Sequence, residues 1–133
     1  MIAYVDFQAS HLDDIMALCR AEGWSSYADR ATALRAFTAA GCVVVVAIDA
    51  GVVGFVQLQT DRAVHAHVSN VVVTPSYRRR GVGRRLLEVA FERSGAQYVD
   101  LVSTDGADEF YRSFDHKEFP GFRLYPGRSR AQP

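Results

Sequence analysis

Alternating and helical hydrophobic patterns divide the beginning of the chain into three elements. Met1–Phe7 alternates apolar and polar side chains, which predicts a strand. Ser10 is a suitable helix N-cap, and the apolar positions after it follow helical spacing until Gly23, which predicts a first helix. A second helix is predicted over Ala28–Ala40, where Gly41 ends it.

A run of β-branched residues follows and predicts the centre of a sheet. Cys42–Ile48 and Val52–Thr60 both have extended patterns, and the turn at 49–51 between them predicts a hairpin. His65–Thr74 predicts another strand, antiparallel to the preceding one. Pro75 ends that strand because proline has no N–H to donate to a neighbour.

The next part of the chain predicts a crossover connection. A helix over Gly81–Ser94 and a strand over Tyr98–Val102 follow the strand at 65–74, and this order typically joins two parallel strands. A fourth helix is predicted over Asp105–Phe114 and a short extended segment over Gly121–Tyr125. The predicted fold class is α/β, with a mixed, mostly antiparallel central sheet, a βαβ crossover and helices on both faces.

Length and composition favour one globular domain. The 133 residues are 49% hydrophobic and 23% charged, which suits a single core without disulfides or metals. We expect one domain over residues 1–126 and a disordered polar tail over 127–133. No apolar run reaches the roughly 20 residues of a membrane span. Met1–Gln8 lacks a signal-peptide pattern, so a cytoplasmic protein is expected.

Cysteines and charge narrow the classes of partner. Cys19 and Cys42 lie in apolar surroundings, which predicts reduced core residues rather than a disulfide or a metal site. Fifteen basic and fifteen acidic residues cancel, which disfavours nucleic acid and an anionic membrane as partners. Five arginines nevertheless lie within the eight positions 78–85. This local patch predicts a compact polyanion as the ligand.

The arginine cluster lies where a strand ends and a helix begins. The first N–H groups of a helix lack partners, and Gly81 and Gly83 let a diphosphate approach them. Neighbouring arginines add charge-assisted hydrogen bonds. A Walker loop fits worse because Lys117 is the only lysine, and a dinucleotide fingerprint needs a small residue where Leu86 stands. A solvated helix start without a ligand is the remaining alternative.

These residues resemble the pyrophosphate motif of the Gcn5-related N-acetyltransferase (GNAT) family. Arg78, Gly81 and Gly83 match its Arg-x-x-Gly-x-Gly pattern, and Val73–Pro75 matches the Val-x-Pro before it. The resemblance implies the GNAT fold and acetyl-CoA as co-substrate. The residues expected to contact CoA are Val71, Val72, Val73, Arg78, Arg79, Arg80, Gly81, Val82, Gly83, Arg84, Thr104 and Ala107.

The same resemblance implies where the thioester lies and which group removes a proton. The thioester is expected between the strands at 65–74 and 98–102, where a backbone N–H near Val72 or Val73 stabilises the oxyanion. A base must neutralise the attacking ammonium. His67 is the expected base, with His65 in reserve; a water chain, or a histidine that only fills sheet surface, is the alternative.

A tyrosine in the fourth helix is the expected acid. Thr104, Ala107, Phe110 and Tyr111 follow the spacing of the family's Asn-x-x-Ala-x-x-aromatic-Tyr motif, with Thr104 in place of asparagine. The resemblance implies that Tyr111 protonates the departing sulfur. The alternative is a core aromatic residue with its hydroxyl at the surface.

The resemblance also implies that the loop between the first two helices grips the acceptor amine. Trp24 and Tyr27 are expected to hold the acceptor, and Glu22 or Asp29 to attract its ammonium group. Ordinary packing of Trp24 under the loop is the alternative.

We therefore expect an N-acetyltransferase that moves acetyl from acetyl-CoA to a small-molecule or peptide amine. Transfer should be direct, in a ternary complex, since no cysteine lies near the motif to carry a covalent acetyl group. A non-catalytic acyl-CoA sensor is the alternative, and nucleic-acid binding by the arginines a third. Beyond Tyr111 the chain departs from the family, with Asp115–His116 in place of Gly-Phe and a short final strand region at Phe119–Tyr125. The acceptor and a homodimer stay open.

Overall fold

The computed structural model describes residues 1–104 and 106–128. Contacts within the chain group it into two compact units, residues 1–101 and 102–133. The first unit contains the sheet and three α-helices, and the second contains a short fourth helix.

A five-stranded sheet forms the centre of the first unit. Its strands are β1 (Ala3–Asp6), β2 (Cys42–Ile48), β3 (Val52–Thr60), β4 (His65–Val73) and β5 (Tyr98–Asp100). They lie in the order β1-β2-β3-β4-β5; the first four are antiparallel, and β5 is parallel to β4. The predicted mixed, mostly antiparallel sheet is confirmed. β5 ends two residues earlier than predicted.

The helices of the first unit are α1 (Leu12–Ala21), α2 (Arg30–Phe37) and α3 (Val82–Ser94). α2 begins later than predicted because a single 3-10 turn occupies Ser25–Tyr27 and Asp29 then caps the helix. The Asp29 carboxylate accepts hydrogen bonds from the N–H and hydroxyl of Thr32 at 2.9 and 2.7 Å. Of the helices in the described ranges, none is long and apolar enough to cross a membrane.

Helices cover both faces of the sheet, as predicted. On one face, α1 and α2 pack against a core that includes Phe37, Phe55 and Val72. α3 lies on the other face, where its Leu86 approaches Gly54 of β3. Cys19 belongs to the first core and is 1% exposed, whereas Cys42 is only half-buried.

β4 contains a bulge that changes which side chains share a face. Val68 pairs with Leu58 and Asn70 with Gln57, so Ser69 is an extra residue. Simple alternation places His67 on the same face as Val73, but the extra residue reverses the faces beyond it. His67 therefore shares the α1/α2 face with Asn70.

The second unit contains α4, which spans only Asp108–Arg112. The prediction that this helix starts at Asp105 falls outside the described residues. Gly106 has a φ of +84°, which no right-handed helix contains, so the helix begins after it. The predicted helix was therefore too long.

The strand region predicted over Phe119–Tyr125 is wrong. Strands need a partner for their backbone groups, and among the described residues this segment pairs with none. After it, the Arg128 N–H donates to the Tyr125 carbonyl at 3.1 Å, which forms a turn. Residues 129–133 of the predicted tail lie outside the described residues.

Candidate functional site

The turn before α3 has the backbone conformation of an anion-binding site. Gly81 is the N-cap of α3 with a φ of +81°, and Arg79 is also left-handed, with a φ of +61°. The Arg85 N–H bonds to the Gly81 carbonyl at 3.0 Å, and a helix leaves the N–H groups before that point without an intrahelical partner. The N-cap Gly81 has no side chain that could accept from these N–H groups. The N–H groups of Val82 and Gly83 start a helix whose dipole favours an anion.

Gly81 is required here for its conformation. A β-carbon at Gly81 would have no heavy atom within 4 Å, so space alone does not exclude a side chain in the protein itself. The positive φ disfavours one, because L-residues with a β-carbon rarely adopt it and a substitution would be strained. The space beside Gly81 is therefore open to a ligand at the start of α3.

Arg78 is already engaged by two protein groups. Its Nε donates to the Val73 carbonyl at 2.8 Å, and its Nη2 donates to Glu22 Oε1 at 2.9 Å. These bonds join the end of β4, the turn and the end of α1. Arg78 therefore orients the turn. Glu22 would compete with a bound phosphate for the Arg78 guanidinium.

The other arginines of the turn differ in their surroundings. Arg80 lies over the ring of Tyr77, 4.5 Å from its centre. The Tyr77 hydroxyl donates to Asp49 at 2.8 Å, and this hydrogen bond raises the pKa of Tyr77. Arg79 is exposed, and Arg84 lies in the first turn of α3. The local positive charge predicted from the sequence therefore surrounds the start of α3.

β4 and β5 separate beside this turn. Their pairing ends at His67 and Asp100, so the rest of β4 has no partner in β5. The Thr74 N–H donates to the Val53 carbonyl at 2.8 Å. Because backbone N–H groups alternate sides along a strand, the N–H of Val73 faces away from β3, toward the gap.

Two histidines and an aspartate lie where the gap begins. His65 Nε2 is 3.0 Å from Asp100 Oδ2, and the His65 ring lies 5.3 Å from the ring of Tyr98. His67 is half-buried and is the direct neighbour of Asp100 in β5 and of Gln59 in β3. The reserve base His65 thus has a carboxylate partner that sequence reasoning did not identify.

Trp24 and Tyr27, predicted to hold the acceptor, both line one cavity of about 240 Å³ at the end of α1. The Tyr27 ring stacks on Phe37 with centres 5.2 Å apart. Its hydroxyl accepts a hydrogen bond from Asn70 at 2.8 Å. Tyr27 is thus fixed by packing and by a polar contact, while Trp24 packs at the edge of the core.

Sequence reasoning missed a buried amide network beside these residues. Gln57 is 3% exposed; its Nε2 donates to the Ala36 carbonyl at 2.9 Å and lies 3.2 Å from Cys42 Sγ. Its Oε1 accepts from Asn70 Nδ2 at 3.1 Å. The available signal was one glutamine, Gln57, flanked on both sides by apolar residues within a strand.

The second unit contains the other predicted site residues. The Ala107 N–H donates to the Thr104 carbonyl at 3.0 Å, and the Tyr111 N–H donates to the Ala107 carbonyl at 3.3 Å. Tyr111 lies in α4 with its ring edge-on to Phe110. Burial raises the pKa of Tyr111, which favours the protonated phenol.

Comparison with known proteins identifies relatives of the chain. Residues 39–118 match the family model described as an acetyltransferase (GNAT) domain. A mycothiol acetyltransferase from Rhodococcus erythropolis is 39% identical over 66 residues, which are 48% of this chain and 22% of the relative. The match thus spans about a fifth of that curated relative.

Solved acetyltransferases share the fold. A GNAT-family acetyltransferase from Streptococcus pneumoniae TIGR4 is 26% identical, with a TM-score of 0.77 over 96% of this chain and 100% of that chain. The aminoglycoside N-acetyltransferase AAC(6')-Iy, solved in complex with CoA, is 17% identical. Its TM-score is 0.78 over 98% of this chain and 95% of that chain.

Proposed function

Because residues 39–118 match the GNAT domain, the chain belongs to the GNAT acetyltransferase family, and we propose that it transfers acetyl from acetyl-CoA to a primary amine. The observation that carries this proposal is the left-handed turn at Gly81, at the start of α3 and beside the gap between β4 and β5. Acetyl-CoA would supply both the diphosphate that such a turn binds and the activated thioester.

The first step is recognition of the diphosphate. The N–H groups of Val82 and Gly83 would donate to phosphate oxygens, and the space beside Gly81 leaves room for them. Arg79 and Arg80, on the same turn, would add positive charge. Arg78 would exchange its bond to Glu22 for a phosphate oxygen while its Nε stays on the Val73 carbonyl.

The second step is activation of the thioester carbonyl. The Val73 N–H faces the gap, and a backbone donor there would stabilise negative charge on the carbonyl oxygen as the amine attacks. Val71 faces the same side by alternation. Neither group requires a polar side chain, which explains how an apolar Val-Val-Val run can serve catalysis.

The third step is proton management. Because His67 lies six residues before Val73 in β4, roughly 15–20 Å along the strand, it would accept the ammonium proton through a chain of water molecules, so that the neutral nitrogen forms the new bond to the acyl carbon. Tyr111 would donate its phenolic proton to the sulfur as the carbon–sulfur bond breaks. The nitrogen would lose its second proton as the amide forms, and this proton would restore the Tyr111 phenol through solvent. Burial raises the pKa of Tyr111, so the proton is present at neutral pH. The acceptor would bind next to Tyr27, which lines both the pocket that it shares with Trp24 at the end of α1 and a second pocket at the end of α2.

A screen of primary amines with acetyl-CoA tests the proposal. Free thiol should be released with at least one amine, in proportion to the acetylated product measured by mass spectrometry. Calorimetry with CoA alone measures binding at the diphosphate site without any acceptor. CoA binding without thiol release from any amine would favour an acyl-CoA sensor, and absence of CoA binding would refute both readings.

A further inference from the structure

A second pocket, of about 280 Å³ and open to solvent, lies between the end of α2 and strands β2 and β3. We call it the amide pocket. Three small residues leave the space, and hydrogen-bonding side chains line the remainder. The lining residues are Ala36, Ala39, Gly41, Cys42, Tyr27, Gln57 and Gln59.

We infer that the amide pocket binds the uncharged body of the acceptor, and that it selects small amines bearing hydroxyl or amide groups over polyamines. This inference rests on the proposed function and assigns a substrate class to it. A pocket of this volume suits a small molecule.

Burying the amide network beside the pocket costs free energy, and two side chains next to it keep hydrogen-bonding groups for a ligand. Gln57 is nine-tenths buried or more and satisfies its amide with Ala36, Cys42 and Asn70. An apolar residue at position 57 could be buried in β3 without needing hydrogen-bond partners. Tyr27 accepts from Asn70 and retains its own hydroxyl proton as a donor. Gln59 uses Nε2 on the Ser69 hydroxyl at 2.9 Å, which leaves Oε1 as an acceptor.

The charges around the pocket disfavour polycations. None of the residues that line it in the described chain is charged. Arg62 Nη2 donates to the carbonyl of Cys42, a lining residue, at 3.4 Å and would repel a second ammonium. A second ammonium in the pocket would therefore gain no counter-ion, whereas a hydroxyl or amide would gain hydrogen bonds.

The position of the pocket suits an acceptor. Gln59 is the direct neighbour of His67 across β3 and β4, and Gln57 is the neighbour of Asn70. All four share the α1/α2 face because of the bulge at Ser69. An amine whose body occupies the pocket is therefore held on the face that carries the proposed base.

A matched pair of acceptors tests the inference. Serinamide has one amine with a hydroxyl and an amide, whereas putrescine is of similar size and has two amines. Serinamide should have a kcat/KM about tenfold or more above that of putrescine. Gln59→Glu should narrow or reverse that ratio. It replaces the side-chain amide with a carboxylate of the same size, and this carboxylate can pair with the second ammonium of putrescine. Gln97→Glu, an exposed position after α3, should leave the ratio unchanged.

Direct binding separates this inference from the proposed function. In NMR spectra of the wild-type protein, serinamide should shift the side-chain amide signals of Gln57 and Gln59, and putrescine should not. Such shifts without turnover would support the assignment of the amide pocket and refute the proposed acetyltransferase activity. Turnover that favours putrescine, with no response to Gln59→Glu, would overturn the pocket assignment alone. No shift with either amine would also overturn it.

Discussion

Arg78 donates from Nη2 to Glu22 Oε1 at 2.9 Å, which ties the turn before α3 to the end of α1. The same guanidinium is the first arginine of the proposed diphosphate site. A ligand phosphate and the Glu22 carboxylate therefore compete for one donor, and the loop between α1 and α2 follows directly after Glu22.

Glu22→Gln should tighten CoA binding by a few-fold. The pair is partly exposed and contributes on the order of 0–1 kcal/mol, which sets the size of the effect. Calorimetry with CoA measures it, and Glu92→Gln on exposed α3 surface is the control. A tenfold weaker affinity would instead show that Glu22 is needed to aim Arg78.

Gly81→Ala should weaken both folding and CoA binding. A left-handed alanine costs roughly 1–2 kcal/mol, and the strain falls on the N-cap of α3, which has a φ of +81°. Gly81→Asn should lose less, because asparagine tolerates this conformation. Urea unfolding and calorimetry give the two readouts. Equal losses for alanine and asparagine would mean that side-chain bulk decides the outcome.

Gly54→Ala should displace the end of β4. Its β-carbon would lie 2.8 Å from the Val72 carbonyl oxygen and 3.3 Å from Val73 Cα, both backbone atoms that cannot rotate away. Overpacking of this kind costs about 1–3 kcal/mol. Gly41→Ala is the control, since its nearest neighbour is 3.8 Å away. Thermal unfolding and CoA titration should show losses for Gly54→Ala alone.

Tyr111→Phe should lower kcat by about a hundredfold or more, the usual range for a positioned general acid. CoA affinity should stay unchanged. Because burial raises the pKa of Tyr111, the wild-type rate should show no loss from its ionisation below about pH 10. Steady-state kinetics across pH measure both effects, and Tyr125→Phe, exposed in the same unit, is the control. An unchanged kcat would remove Tyr111 from the mechanism.

The sheet and the turn before α3 were predictable because their signals are local. β-Branched runs, the turn at 49–51 and the glycines at 81 and 83 each determine structure within a few residues. Helix ends were less predictable. The start of α2 depends on the Asp29 cap, and α4 is shortened by the positive φ of Gly106.

The faces of β4 and the polar network depended on contacts between distant residues. The bulge at Ser69 exists only relative to β3, and it decides that His67 and Asn70 share a face. The Glu22–Arg78 and His65–Asp100 pairs join residues far apart in the chain. No spacing rule in one sequence indicates such partners, so these parts of the site required the structure.

Alkaline pH should destabilise the first unit through Cys19. Burial raises the pKa of the Cys19 thiol from its ordinary value of 9.0 to about 11. The folded state therefore keeps its proton where the unfolded state loses it. The stabilisation is complete below pH 9 and disappears as pH rises toward 11, a loss of roughly 2–3 kcal/mol in unfolding free energy. Urea unfolding between pH 7 and 11 measures this slope. Cys19→Ala should flatten it despite a lower starting stability, whereas Cys42→Ala should retain it; equal slopes in wild type and Cys19→Ala would assign the alkaline loss to other groups.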